Sequence, residues 1–207
     1  MGEKKQLLIV FVKNILMGKV KTRLAKTIGD VGAFEVYKEL VDITENETDR
    51  LEDVDIHVYF SDQVIESKWP GKQKFVQQGE NLGKRMQNAF QHGFDLGYNK
   101  IIGVGSDLPD LNADIMNEGL EALATTETVF GPSEDGGYYL IGMRKMVDCV
   151  FENKPWSTDQ LLNITLSELD SKGISCSTLA TLNDIDTIED LKASSVSHKF
   201  KEYYELS

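Results

Sequence analysis

Apolar residues come in short blocks along this chain, separated by polar stretches carrying Gly, Pro, Asn or Asp. The first block, Leu7-Leu8-Ile9-Val10-Phe11-Val12, is β-branched and aromatic without alternation, the pattern of a strand buried on both faces. Residues 30–49 place Phe34, Tyr37, Leu40, Val41 and Ile43 at near-helical spacing, with Asp30 as a candidate cap. Residues 54–60 alternate and predict a strand, 68–71 a loop, and 74–77 a short strand. From 82 to 94, Leu82, Met86, Ala89, Phe90 and Phe94 share one helical face behind Asn81. The run 101–105 predicts a buried strand ending in Ser106-Asp107-Leu108-Pro109-Asp110, where the proline enforces a turn. A helix starting at Asn112 or Asp114 follows, to about Ala124. Strands are expected at 128–130 and 138–143, a helix at 159–169, a last strand at 174–182, and a helix through Leu191. Strands alternating with helices predict an α/β protein, a mostly parallel sheet with helices on both faces. At 207 residues with no repeat or linker, a single domain over 1–207 is expected, with 194–207 a loosely held tail.

Charge sharpens the picture. The chain carries 22 Lys and Arg against 34 Asp and Glu, yet residues 4–26 contain Lys4, Lys5, Lys13, Lys19, Lys21, Arg23 and Lys26 and no acid. A cationic, glycine-bearing loop after a buried strand is where an α/β protein meets a polyanion. Gly18 lets the backbone approach, and Lys13, Lys21 and Arg23 supply charge and forked donors for phosphate. The bland alternative is a solvated turn. The surrounding negative field favours a compact anion over a long nucleic acid. No apolar run approaches the roughly 20 residues of a membrane span. The start lacks a signal-peptide cleavage pattern, and Gln6 stands where a myristoylated Met1-Gly2 terminus has Ser or Thr. Cys149 and Cys176, without CxxC spacing, fit free thiols in a reducing, cytoplasmic setting. His57, His92 and His198 are scattered and carry no catalytic pattern.

Acids follow three strands: Asp107, Asp135 before Gly136-Gly137, and Asp184 with Asp186. Strand ends of an α/β sheet converge on one crevice, so carboxylates distant in sequence meet there. Beside a phosphate loop they suit Mg²⁺ or Mn²⁺, hard cations that bridge carboxylate and phosphate oxygens. Each acid has a structural alternative: Asp107 as a turn former, Asp135-Gly136-Gly137 as a turn, Asp186 with Glu189 as a capping box. Tyr138 and Tyr139 face opposite sides, so one is placed to stack on a ligand and the other to enter the core. Trp156 fits core packing or the same stacking role.

Four motifs occur in order: FVKNILMGKVKTRL, GENLGKRM, GSDLPDL with GPSEDGGYYLIG, and DIDTIEDL. Together they resemble a bacterial family of uncharacterised glycosyltransferase-A-fold proteins, the radical-SAM and selenodomain-associated transferases of the nucleotide-diphospho-sugar transferase superfamily. The resemblance spans nearly the whole chain, with Ile15 where the family usually has Pro and Asn81 where it usually has Asp. It implies a three-layer α/β/α fold and a metal-dependent enzyme that uses a nucleotide-sugar donor on a small acceptor. It equally admits a nucleotidyltransferase releasing pyrophosphate, or a nucleotide-binding module without turnover. On the matched positions it implies Lys21, Arg23 and Asp107 as catalytic. It implies Lys13, Gly18, Arg85, Asp135, Gly136, Gly137 and Tyr138 as substrate-binding, and Asp107 with Asp186 as Mg²⁺ or Mn²⁺ ligands.

Overall fold

The computed structural model describes residues 5–205. The expectations resting on Met1-Gly2, on Lys4 and on the tail residues Leu206 and Ser207 lie outside them.

The first apolar block forms β1 (Gln6–Val12), an interior strand of one seven-stranded sheet. Its side chains leave on alternate faces, and both are covered. Leu8, Val10 and Val12 join a core with Tyr37 and Val41 of α1 (Thr22–Thr48) and Met116 and Leu120 of α3 (Ala113–Ala122). Leu7 and Ile9 join another with Met86 and Phe90 of α2 (Leu82–Asp95) and Leu162 and Leu169 of α4 (Leu161–Ser171). A strand flanked by two apolar layers has no polar face to show, which is why its sequence does not alternate.

β1 pairs in parallel with β2 (Val54–Phe60) on one side and β4 (Lys100–Gly105) on the other. β3 (Gln73–Val76) extends the edge beyond β2. Past β4 lie β6 (Tyr138–Met143), β5 (Thr128–Pro132) and β7 (Cys176–Thr178), giving the order β3-β2-β1-β4-β6-β5-β7. β6 runs antiparallel to both neighbours, so the sheet is mixed at this end. The three-layer α/β/α arrangement is as expected, and the chain reverses direction across the sheet at β1 and β4. That is the switch point outside whose carboxyl strand ends an open α/β sheet binds ligands.

Several expected boundaries moved. The helix expected from Asp30 is preceded by a helical stretch from Thr22, the two joined across a kink at Gly29, whose backbone is not helical (φ 74°, ψ 165°). Asn81 caps α2 by accepting from the Lys84 amide, so an Asp-to-Asn change there keeps the cap. Asn112, not Asp114, caps α3. The last strand is only three residues, continued by a single bridge from Leu182 to Ser133. The capping box of α5 (Ile188–Ala193) is Thr187 with Asp190, one residue on from the expected Asp186 and Glu189. Beyond Ser194 the chain makes two 3₁₀ turns and buries Val196 and Phe200 against Leu24, Val36 and Leu191. Among the described residues no helix is long and apolar enough to cross a membrane.

Candidate active site

The carboxyl ends of β1, β2 and β4 open into one cleft of ≈ 770 Å³. That is within the range of small-molecule and cofactor pockets, about 300–1,000 Å³. Each strand delivers a loop to it: Lys13 after β1, Ser61 and Asp62 after β2, Ser106 and Asp107 after β4. Two buried polar side chains fix these loops. Tyr37 of α1 donates its hydroxyl to the Lys13 carbonyl, accepts from the Lys13 amide, and meets Ser106 Oγ at 3.2 Å. Burial pushes its phenol up to about 12. Asn14 accepts from the Asp62 and Gln63 amides and from Ser61 Oγ, tying the β1 loop to the end of β2. Neither residue carried a signal in the sequence beyond a helical position or a loop.

The cationic loop ends at Lys21, which holds a left-handed backbone (φ 44°, ψ 47°) as the N-cap residue of α1. This conformation costs a non-glycine residue of order 1–3 kcal/mol. Lys21 turns inward with only 5% of its side chain exposed. Its Nζ lies 3.0 Å from Asp107, 3.3 Å from Asp186 and 3.4 Å from Asp184. Burial works against its charge, but the combined attraction of Asp107, Asp184 and Asp186 outweighs that and raises its pKa. Arg23 stands outside the cluster, 68% exposed, with Nη1 3.4 Å from the other oxygen of Asp186.

The carboxylates still outnumber the cations. Asp184 is pushed up to about 6, first by burial and then by Asp107, Asp186 and Asp135, against the pull of Lys21. An excess of hard oxygen donors fits Mg²⁺ or Mn²⁺. Among the described residues, however, no three His, Cys, Asp or Glu side chains are grouped to hold a metal ion. Lys21 takes the space between the acids. Two carboxylates completed by phosphate oxygens, a Mg²⁺ mode that needs no protein cage, is the arrangement these residues fit.

The opposite wall is aromatic. Tyr138 packs edge-on to Phe130 and faces Trp156, 6.5 Å between ring centres. Tyr138 lines the cleft, but its hydroxyl points away from solvent and is buried without a hydrogen-bond partner. Tyr139 is the core member of the pair, donating to the Ala180 carbonyl. Leu82, Arg85 and Met86, one face of α2, complete this side. Arg85 donates from Nε to the Gly79 carbonyl, and its two Nη groups have no protein partner among the described residues. Gly83 lets α2 close on this wall: a Cβ there would stand 2.5 Å from the Phe151 carbonyl and 2.7 Å from Trp156.

The cleft thus brings together Lys13, Lys21, Arg23, Arg85, Asp107, Asp135, Gly137, Tyr138 and Asp186. It does not include Gly18 or Gly136. Gly18 (φ 73°) closes the exposed turn beside Asp30. Gly136 (φ 85°) lies against the backbone of Asp159, where a Cβ would come within 2.2 Å. Its carbonyl accepts from the Leu162 amide, so it sets how α4 docks. Asp135 accepts from the Gly137 amide and shapes the same turn.

Sheet order and cleft define a fold of the nucleotide-diphospho-sugar transferase type. The chain is similar to a presumed nucleotide-diphospho-sugar transferase from Desulfovibrio desulfuricans G20. The TM-score is 0.86 at 28% identity, over 97% of this chain and 99% of that one. The fold is also that of a 4-diphosphocytidyl-2C-methyl-D-erythritol synthase from Anaerococcus prevotii DSM 20548 (TM-score 0.63, 11% identity, 95% and 100% covered). An inositol-1-phosphate CTP transferase from T. maritima shares it too (TM-score 0.55, 14% identity, 99% of each chain covered). The chain belongs to the bacterial family DUF2064, described as "Uncharacterized protein conserved in bacteria", whose model matches residues 46–158. No curated protein matches it. The family match covers Arg85, Asp107, Asp135 and Tyr138, while Lys13 to Arg23 and Asp184 to Asp186 lie outside it.

Proposed function

We propose that this transferase uses a nucleotide-diphospho-sugar donor, with Mg²⁺ or Mn²⁺, to glycosylate a small-molecule acceptor. The observation that carries it is the meeting of the cationic loop with Asp107 and Asp186 in one cleft at the strand ends. Lys13 and Arg23 grip the donor's phosphates. The guanidinium offers two parallel hydrogen bonds to one phosphate, which an ammonium cannot. Lys21, next to Asp107 in the free chain, adds a third positive charge for the donor's phosphates. Asp107 and Asp186 hold the metal, which when bound neutralises charge building on the departing diphosphate. Tyr138 and Trp156 form the aromatic wall against which the sugar or acceptor packs. Catalysis on this scheme is positioning plus electrostatics, with no covalent intermediate on the protein.

A second reading, nucleotidyl transfer with release of pyrophosphate, is favoured by one feature. A lone acid, Asp107, follows β4, and its partner Asp186 comes from the far end of the chain. The cytidyl and CTP transferases that share this fold accord with it. The two readings differ in product. Incubation with a panel of nucleotide-sugars and nucleoside triphosphates, each with candidate acceptors and Mn²⁺, separates them by nucleoside diphosphate against pyrophosphate. Release of neither, together with no nucleotide binding, refutes both.

A further inference from the structure

A buried ammonium lying where a divalent cation is expected calls for an account of its own. We propose that Lys21 is the resident counter-ion of the carboxylate cluster. A divalent cation enters only as Lys21 leaves, so metal and donor bind as a coupled pair. The inference rests on the reading above, that Asp107 and Asp186 are the metal's protein ligands.

The geometry supports displacement over coexistence. Lys21 Nζ is within 3.4 Å of Asp107, Asp184 and Asp186 at once, and it contacts both carboxylates assigned to the metal. A metal drawing on Asp107 Oδ2 and Asp186 Oδ1 would take the oxygens the ammonium now uses. Two cations a few ångströms apart repel strongly even at a high effective dielectric. Lys21 has somewhere to go. Its backbone is fixed, with its carbonyl accepting from the Ala25 amide, but its long side chain borders the open cleft beside Thr22 and Arg23. A donor phosphate there gives the expelled ammonium a new partner. Without phosphate, metal entry strips Lys21 of three carboxylates and returns only water. Metal alone therefore binds weakly, and metal and donor each strengthen the other by the same factor.

The test uses Mn²⁺ without nucleotide, followed by calorimetry or electron paramagnetic resonance, on wild type, Lys21→Met and Lys21→Arg. Lys21→Met should bind Mn²⁺ about tenfold or more tighter than wild type, because the competing charge is gone. Lys21→Arg, which keeps the charge, should not. A second measurement needs only wild type. Acetylation of Lys21 by acetic anhydride, read by mass spectrometry, should be slow in chelator and faster at saturating Mg²⁺. Equal Mn²⁺ affinity in wild type and Lys21→Met overturns the inference, as does Lys21 labelling that Mg²⁺ leaves unchanged or slows. If those results come with intact, Mn²⁺-enhanced nucleotide binding, only the displacement idea falls. If no variant binds Mn²⁺ with or without nucleotide, the metal reading falls with it.

Discussion

Asp184→Asn should make the protein more stable at neutral pH, although it removes a partner of Lys21. Asp184 lies with its side chain 26% exposed among Asp107, Asp186 and Asp135, and its carboxyl is pushed from 3.8 to about 6. The folded chain therefore holds this proton more tightly than the unfolded chain does. Stability from the protonated form is fully present below about pH 4 and is lost as pH rises through 6. A shift of about two units corresponds to about 3 kcal/mol, already net of the Lys21 attraction. Asn keeps the shape of the neutral acid and escapes that cost. At pH 8 in chelator, urea or thermal denaturation should find the variant more stable by about 2–3 kcal/mol. That is about 5–10 °C for a domain of this size. The advantage should shrink to nothing near pH 4. A variant less stable than wild type at pH 8, or a difference independent of pH, would refute this electrostatic account. The result expected is the usual exchange of stability for function at a charged site.

Other expectations follow from the same geometry. His57 is 1% exposed with neither ring nitrogen hydrogen-bonded, and burial, then His92, push it down to about 4. Its contribution to stability is present above about pH 6.5 and lost as pH falls toward 4, so His57→Phe should flatten the acid limb of a pH–stability curve by about 3 kcal/mol. Tyr138→Phe removes a buried hydroxyl that has no partner, so melting of the free protein should be unchanged or raised. Arg23→Ala should weaken nucleotide binding about tenfold or more by calorimetry, and Lys26→Ala, exposed and outside the cleft, should leave it unchanged. Gly136→Ala combines a positive φ with a 2.2 Å clash against Asp159, and denaturation should show a loss of about 2–5 kcal/mol.

The elements that set the fold were written in patterns that need no partner to be read. β1 carries a six-residue apolar block, and α2 displays its cap and its face from Asn81 to Phe94. What escaped depends on single backbone angles or on distant contacts. The helical stretch from Thr22 to the kink at Gly29, ahead of the helix expected from Asp30, lies in the cationic loop and shows no extended apolar helical face. Asp186 with Glu189 and Thr187 with Asp190 are overlapping candidates for one capping box, and only the fold chooses. The acids Asp107 and Asp186 could be placed at strand ends from sequence. That Lys21 turns in among them follows from its φ of 44°, which no spacing rule reveals. The resemblance makes Gly136 substrate-binding, but the close approach it permits is to the backbone of Asp159. His57 and His92, 35 positions apart, meet under β2 and α2 with ring centres 6.0 Å apart.

The central claim is that Asp107 and the cationic loop form one phosphate-and-metal site. Calorimetry of a nucleotide panel against wild type and Asp107→Asn, with Mn²⁺ and with chelator, tests it most directly. Asn keeps the shape and one oxygen of the side chain and can form the same turn, but it loses the charge that a hard cation requires. Wild type should bind its nucleotide more tightly with Mn²⁺, and the variant should fold normally while losing that enhancement. An Asn variant that keeps the full Mn²⁺ enhancement would contradict the account.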